Sequence, residues 1–194
     1  DGRTGLKKWE FTTIFPLSSS PSIGSDGTVY FGETYTGWPD PGGKYIYALD
    51  GNTGKMKWKF NTTWVRSSSP VMKSNGMMMS PAIGADGTVY VTSYVDKFYA
   101  INGQSGLKRF EFDTEGYMRP SSVLDFDGFL FFGESSKSTI YSLDAKTGKK
   151  EWEYKAGGQV RSTGALASDG TLYVPVSDGK LYALNSKTGK SIWI

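Results

Sequence analysis

Residues Tyr141–Tyr154 read YSLDAKTGKKEWEY, and Tyr182–Ile194 read YALNSKTGKSIWI. Tyr47–Phe60 is YALDGNTGKMKWKF, and Tyr99–Phe112 is YAINGQSGLKRFEF. The chain itself opens on DGRTGLKKWEF, the same phrase without its start. The last two copies begin 41 residues apart. Self-similarity at such a period marks a repeat architecture, in which one supersecondary unit buries its faces on copies of itself.

Working outward from the phrase, each unit keeps one order of parts. A Ser-rich, semi-apolar run comes first: SSSPSIG (Ser18–Gly24), SPAIG (Ser80–Gly84), SSVLDF (Ser121–Phe126) and TGALAS (Thr163–Ser168). Asp-Gly follows each run, and then TVYFG, TVYVT, FLFFG or TLYVP. Asp-Gly between apolar runs signals a hairpin, because the turn needs a positive φ. The quoted strand comes next, then a Gly turn (Gly54, Gly106, Gly148, Gly189) and a last strand carrying Trp or Phe. Nothing sustains a 3.6-residue period with caps, so no helix is expected. The sequence predicts an all-β chain of four-stranded antiparallel units, A to D. Such units, with 25 Gly and 15% aromatics, suit the blades of a β-propeller.

Composition removes several chemistries. With no Cys there is no disulfide, zinc-thiolate site or cysteine nucleophile, and with no His there is no Ser-His-Asp triad. Lys and Arg total 22 against 19 acids, and the lysines recur within the repeat (Lys55, Lys57, Lys108, Lys149, Lys150, Lys190). That spread reads as a solvated rim, not the concentrated patch of a nucleic-acid binder, so no nucleic-acid partner is expected. No apolar run reaches the roughly 18 residues of a membrane span. The chain opens on Asp1 instead of Met, which points to a mature or excised piece.

The segment Ala48–Trp58 places Ala first, Gly seventh and Trp eleventh, and Ala100–Phe110, Ser142–Trp152 and Ala183–Trp193 keep that spacing. This resembles the tryptophan-docking motif of the pyrroloquinoline quinone (PQQ)-like β-propeller repeats. That family includes quinone-dependent alcohol dehydrogenases and the outer-membrane assembly scaffold lipoprotein. The resemblance implies that Trp9, Trp58, Phe110, Trp152 and Trp193 are structural docking residues, each sandwiched between a small residue and the Gly peptide of a neighbouring motif. A flat ring needs a partner without bulk. Phe110 and Ser142 depart from the pattern and are expected to keep the stacking but weaken it. Asp1 falls on the third motif position, so residues 1–11 are an orphan D strand, with blades at 12–60, 61–112, 113–154 and 155–194. The family closes rings of seven or eight blades. Four blades plus a strand is therefore a slice of a longer protein, a half that self-associates to complete a ring, or a small closed ring.

In an A-B-C-D blade, the D-to-A and B-to-C loops share one face, and the short repetitive turns share the other. Loops on a rigid scaffold carry function. The B-to-C loop of blade one, GETYTGWPDPGGK (Gly32–Lys44), is long where that of the last blade is VSDGK. Its Tyr35, Trp38 and Asp40 are candidate contacts, with Trp64 and Tyr117 beside them. Arg66, Arg119 and Arg161 open the A strands, where guanidinium groups would favour carboxylate or phosphate, or bond neighbouring carbonyls. A second insertion, Ser67–Gly84, carries three consecutive methionines, Met77–Met79, on a surface or in a longer hairpin. Glu33 and Glu134 end B strands in the phrase FGE and would pair with the arginines, or one would serve as a base.

Three functions fit. The preferred one is a non-catalytic, secreted or periplasmic scaffold that binds a protein or glycan on its loop-rich face, without a cofactor. The second is a fragment of a PQQ-dependent dehydrogenase. The resemblance would then imply PQQ and Ca²⁺ in the larger enzyme, but the family's vicinal disulfide is excluded here. Asp50-Gly51-Asn52-Thr53-Gly54 looks faintly like a calcium loop, yet it recurs as DAKTG and reads as a turn. The third is a carbohydrate-binding propeller using Trp38 and Tyr35.

Overall fold

The computed structural model describes residues 1–17, 19–33, 44–62, 80–92, 97–114, 116, 118, 122–125, 127–162 and 164–194. Among them there is no helix, so none that is long and apolar enough to cross a membrane. Sixteen strands form four antiparallel sheets of four strands each, a partial β-propeller. Blade one is β1 (Ser22–Ile23), β2 (Thr28–Gly32), β3 (Lys44–Asp50) and β4 (Met56–Thr62). Blade two is β5 (Ala82–Ile83), β6 (Thr88–Thr92), β7 (Lys97–Asn102) and β8 (Lys108–Asp113). Blade three is β9 (Val123–Leu124), β10 (Phe129–Glu134), β11 (Thr139–Asp144) and β12 (Lys150–Lys155). Blade four is β13 (Ala165–Leu166), β14 (Thr171–Pro175), β15 (Leu181–Asn185) and β16 (Ser191–Trp193).

The hairpin turns follow from their glycines. Gly27, Gly87, Gly128 and Gly170 all have φ between 76° and 87°. Ahead of the first of these, Gly27 N–H donates to Gly24 C=O, and Asp26 Oδ1 accepts from Thr28 N–H. The C-to-D turns are as uniform. Asp50 Oδ1 accepts from Asn52 N–H, Thr53 N–H and Thr53 Oγ1, and Gly54 sits at φ 71°. Asp144 and Asn185 hold their turns in the same way. A carboxylate or amide oxygen that caps its own backbone is why Asp and Asn alternate there.

The core lies between blades, not within them. Tyr30, Ile46, Ala48 and Trp58 of blade one pack on Val89, Val91, Tyr99 and Ile101 of blade two. Tyr90, Phe98 and Ala100 meet Leu130, Phe132, Tyr141 and Leu143. Phe131, Ile140 and Trp152 meet Leu172, Val174, Tyr182 and Leu184. Central strands are therefore apolar on both faces. The outer strands alternate, with Lys and Glu turned to solvent, which also blunts an exposed sheet edge. All six repeat lysines are exposed.

One irregularity recurs in every blade. The third and fourth strands slip register at Ala48/Leu49, Ala100/Ile101, Ser142/Leu143 and Ala183/Leu184. Each bulge sits beside the pair of small residue and ring: Ala48 opposite Trp58, Ala100 opposite Phe110, Ser142 opposite Trp152, Ala183 opposite Trp193. A bulge bends its strand and re-aims a side chain. The aimed rings cover glycines of the next blade. A Cβ built on Gly106 would lie 2.8 Å from Trp58, and one on Gly189 would lie 2.7 Å from Trp152. Phe110 covers Gly148 in the same fashion. Trp58 Nε1 donates to Gly103 O at 2.7 Å, and Trp152 Nε1 to Ser186 O at 2.8 Å.

Residues 6–11, expected as an outer strand, form no ladder with any described strand. They lie instead on blade one. Trp9 covers Gly54 and donates Nε1–H to Gly51 O at 3.0 Å, while Phe11 packs edge-on against Phe31 and Tyr47.

Candidate functional site

The antiparallel order puts the ends of β2 and β10 under the face that carries the D-to-A and B-to-C connections. Glu33 and Glu134 sit there, both fully buried. A buried carboxylate needs donors. Glu33 Oε1 accepts from the backbone N–H of Ile14 at 3.1 Å and of Phe15 at 3.3 Å, and from Tyr47 Oη at 2.7 Å. The carboxylate and burial together push the Tyr47 phenol far above its ordinary pKa, burial contributing most. Glu134 Oε1 accepts from Lys137 N–H at 2.8 Å and crowds the Cα of Gly116. Isolated bridges pair Leu17 with Glu33 and Met118 with Glu134. Each glutamate thus ties the segment entering its blade to the end of the second strand. The second oxygen of each, Oε2, is buried with no hydrogen-bond partner among the described residues.

The sequence suggests these glutamates as partners for arginine or as a base, and Arg66 and Arg119 lie outside the described residues. Among the described residues their donors are backbone N–H groups and one tyrosine, so each also anchors a loop. The repeated phrase FGE was the available signal. In blade four Val176 stands in that place, and the connection is held by Gln159 and Ser177, which bond each other through N–H to Oγ and N–H to C=O. Arg161 is exposed, and its Nε donates to Gln159 Oε1 at 2.8 Å. Tyr35, Trp38, Asp40, Trp64, Arg66, Tyr117 and Arg119 lie outside the described residues, as do Met77–Met79.

The opposite face holds a groove of about 810 Å³ along the inner strands, lined by Ile23, Ile83, Leu124 and several aspartates. Those acids are already committed. Asp86 bonds Thr88 and Arg109, Asp127 pairs with Lys187 at 2.9 Å, and Asp144 caps its turn. Among the described residues no group of three or more carboxylates could hold a metal ion. The turn acids, bonded within their own turns or to a basic side chain, do not form a shared ligand set for calcium.

The fold recurs in solved structures. BamB from Moraxella catarrhalis superposes with a TM-score of 0.72 at 19% identity, covering 96% of this chain and 52% of that one. Quinohemoprotein alcohol dehydrogenase from Comamonas testosteroni gives 0.69 at 17% identity, covering 92% and 34%. The computationally designed Ika4 protein gives 0.70 at 11%, covering 94% of this chain and 99% of its own. At these identities the likeness is one of fold. The chain spans about half the length of BamB and about a third of the dehydrogenase. No curated protein matches it in sequence. The profile of the family described as outer membrane protein assembly factor BamB matches residues 42–194, most of the chain, and to that family this PQQ-like propeller belongs.

Proposed function

We propose that this chain is a non-catalytic scaffold, exported to the periplasm, that presents its loop-bearing face to a protein partner in outer-membrane assembly. The observation that carries the reading is the asymmetry of the two faces. One is a lattice of near-identical turns whose polar groups satisfy each other. The other carries the variable connections, and buried Glu33 and Glu134 anchor them to the blades. Rigid anchoring of loops lowers the ordering cost of binding. In this reading Trp9, Trp58, Phe110, Trp152 and Trp193 fasten blades and take no part in recognition, whereas Arg161 and the aromatic side chains of the first long loop meet the partner.

The test compares binding of this chain to an outer-membrane fraction with that of a variant whose residues 34–43 are replaced by Ser-Asp-Gly. Binding lost in the loop variant, and kept by the turn-face substitution Asp144→Asn, supports the proposal. No binding, together with quinone absorbance and dye reduction on adding PQQ and Ca²⁺, overturns it in favour of a dehydrogenase fragment.

A further inference from the structure

Asp is followed by Gly seven times in the sequence. Each such step is a latent reaction site, because glycine has no side chain to shield its nitrogen from the preceding carboxyl group. At six of the seven, the carboxylate is held by its own turn. One of its oxygens accepts from a backbone N–H two or three residues on. The exception is Asp127, which among the described residues pairs with Lys187 Nζ at 2.9 Å and with no backbone N–H.

The four A-to-B turns show why. Asp26 and Asp86 each take the N–H and the hydroxyl of the Thr two residues on. Asp169 takes the N–H of Thr171 at 2.9 Å. Blade three has Phe129 at that position, which offers no hydroxyl. The Phe129 N–H goes instead to Asp125 Oδ1 at 2.7 Å, where the sister turns carry Gly24, Gly84 and Ala167. Asp125 has taken over the clamp and left Asp127 outside it. The nitrogen is also held least here. Gly27, Gly87 and Gly170 donate to the carbonyl three residues back at 2.9–3.0 Å, but Gly128 donates to Asp125 O at 3.4 Å. The ion pair with Lys187 joins side chains 58% and 65% exposed, and such pairs restrain little.

We propose that Asp127 is a site of spontaneous modification, at which the folded chain converts to isoaspartate. The Gly128 nitrogen attacks Cγ of the Asp127 carboxylic acid. An N–Cγ bond forms and a carboxyl C–O bond breaks. That oxygen leaves as water, carrying the acid proton and the amide proton. Water then adds to the main-chain carbonyl carbon of Asp127 in the resulting five-membered ring, and the bond from that carbon to the Gly128 nitrogen breaks. The chain now runs through Cγ, the former main-chain carbonyl is the free carboxyl group, and no atom is gained or lost overall. In the clamped turns, hydrogen bonds favour the charged carboxylate, the unreactive form, as at Asp26, held down at about 2. The change adds a carbon to the backbone between β9 and β10 and moves the carboxylate that meets Lys187 of blade four.

Ageing the folded 194-residue chain near neutral pH tests this, with isoaspartate assigned at each step by peptide mass spectrometry with electron-transfer fragmentation. Isoaspartate is expected at Asp127 about tenfold faster than at Asp26, Asp86 or Asp169, the factor given by losing one hydrogen bond to a charged group. In denaturant this ranking disappears. Asp125→Ala together with Phe129→Thr rebuilds the sister turn and slows Asp127 to the rate of its sisters. Asp125→Ala alone, at a polar position, frees the Phe129 N–H for Asp127 and gives most of that slowing. An even spread over the steps of the folded chain, or no isoaspartate at Asp127, overturns the proposal. So does a ranking that persists in denaturant, or an Asp127 rate unmoved by Asp125→Ala.

Discussion

Ser142 shows what one atom does in a seam. It occupies the small-residue position beside Trp152, fully buried, and its Oγ has no hydrogen-bond partner among the described residues. An unpaired buried hydroxyl costs about 1–3 kcal/mol. Ser142→Ala, the residue that three sister repeats carry, is expected to raise stability by about 1 kcal/mol, seen as a rise in Tm of about 2–4 °C. The turn aspartates act through their charge. Hydrogen bonds from Thr28 hold Asp26 down at about 2, and bonds from Thr147 hold Asp144 below its ordinary value. A carboxylate whose folded pKa is depressed stabilises the fold above its unfolded value, near pH 4, and that contribution disappears as pH falls through the folded value. Thermal stability is therefore expected to decline between about pH 4 and pH 2. Asp144→Asn keeps the acceptor, as Asn102 and Asn185 do, but lacks the charge, so it lowers Tm slightly at pH 7 and makes the acid decline shallower.

Among elements, the seams differ in how they satisfy one carbonyl. Gly103 O accepts from both Trp58 Nε1 and Tyr30 Oη. In the next seam Phe110 has no N–H, and Tyr90 Oη serves Ala145 O at 2.9 Å. In the third, Phe131 has no hydroxyl, and Trp152 serves Ser186 O. Every seam keeps at least one donor. Tyr90→Phe is expected to cost about 1–3 kcal/mol, because it strips the Phe110 seam of its donor, whereas Tyr30→Phe costs about 0.5–1 kcal/mol. Equal losses in denaturant titrations would show that the carbonyl is indifferent to the pairing. The Phe110 seam has a further support in the parallel stack of Phe98 on Phe132 at 4.9 Å, which a spacing rule for tryptophans does not reveal.

For the whole molecule, stability is a sum over blades and seams, since each blade touches only its neighbours. Removing Trp152 attacks a single seam. Trp152→Ala is expected to cost about 3–5 kcal/mol and to let residues 164–194 open ahead of the rest. Hydrogen exchange checks this, with blade four losing protection while blades one and two keep theirs. Uniform loss across all four blades would mean that the arc behaves as one cooperative body.

The periodic phrase by itself determined the strands, their order and the blade count, because a pattern of turn glycine, small residue and ring at fixed spacing has one way to bury its apolar groups. What the phrase FGE could not reveal is that Glu33 accepts from the amides of Ile14 and Phe15, brought beside it only when the chain folds back. The carbonyls that Tyr30 and Tyr90 reach are 73 and 55 residues away in sequence, so local pattern carried no sign of them. Tertiary structure alone decided that residues 6–11 lie without a ladder on blade one, while Trp193 stands uncovered at the other end. Spacing fixes which faces a blade offers. Which face finds a partner depends on what else is near it in three dimensions.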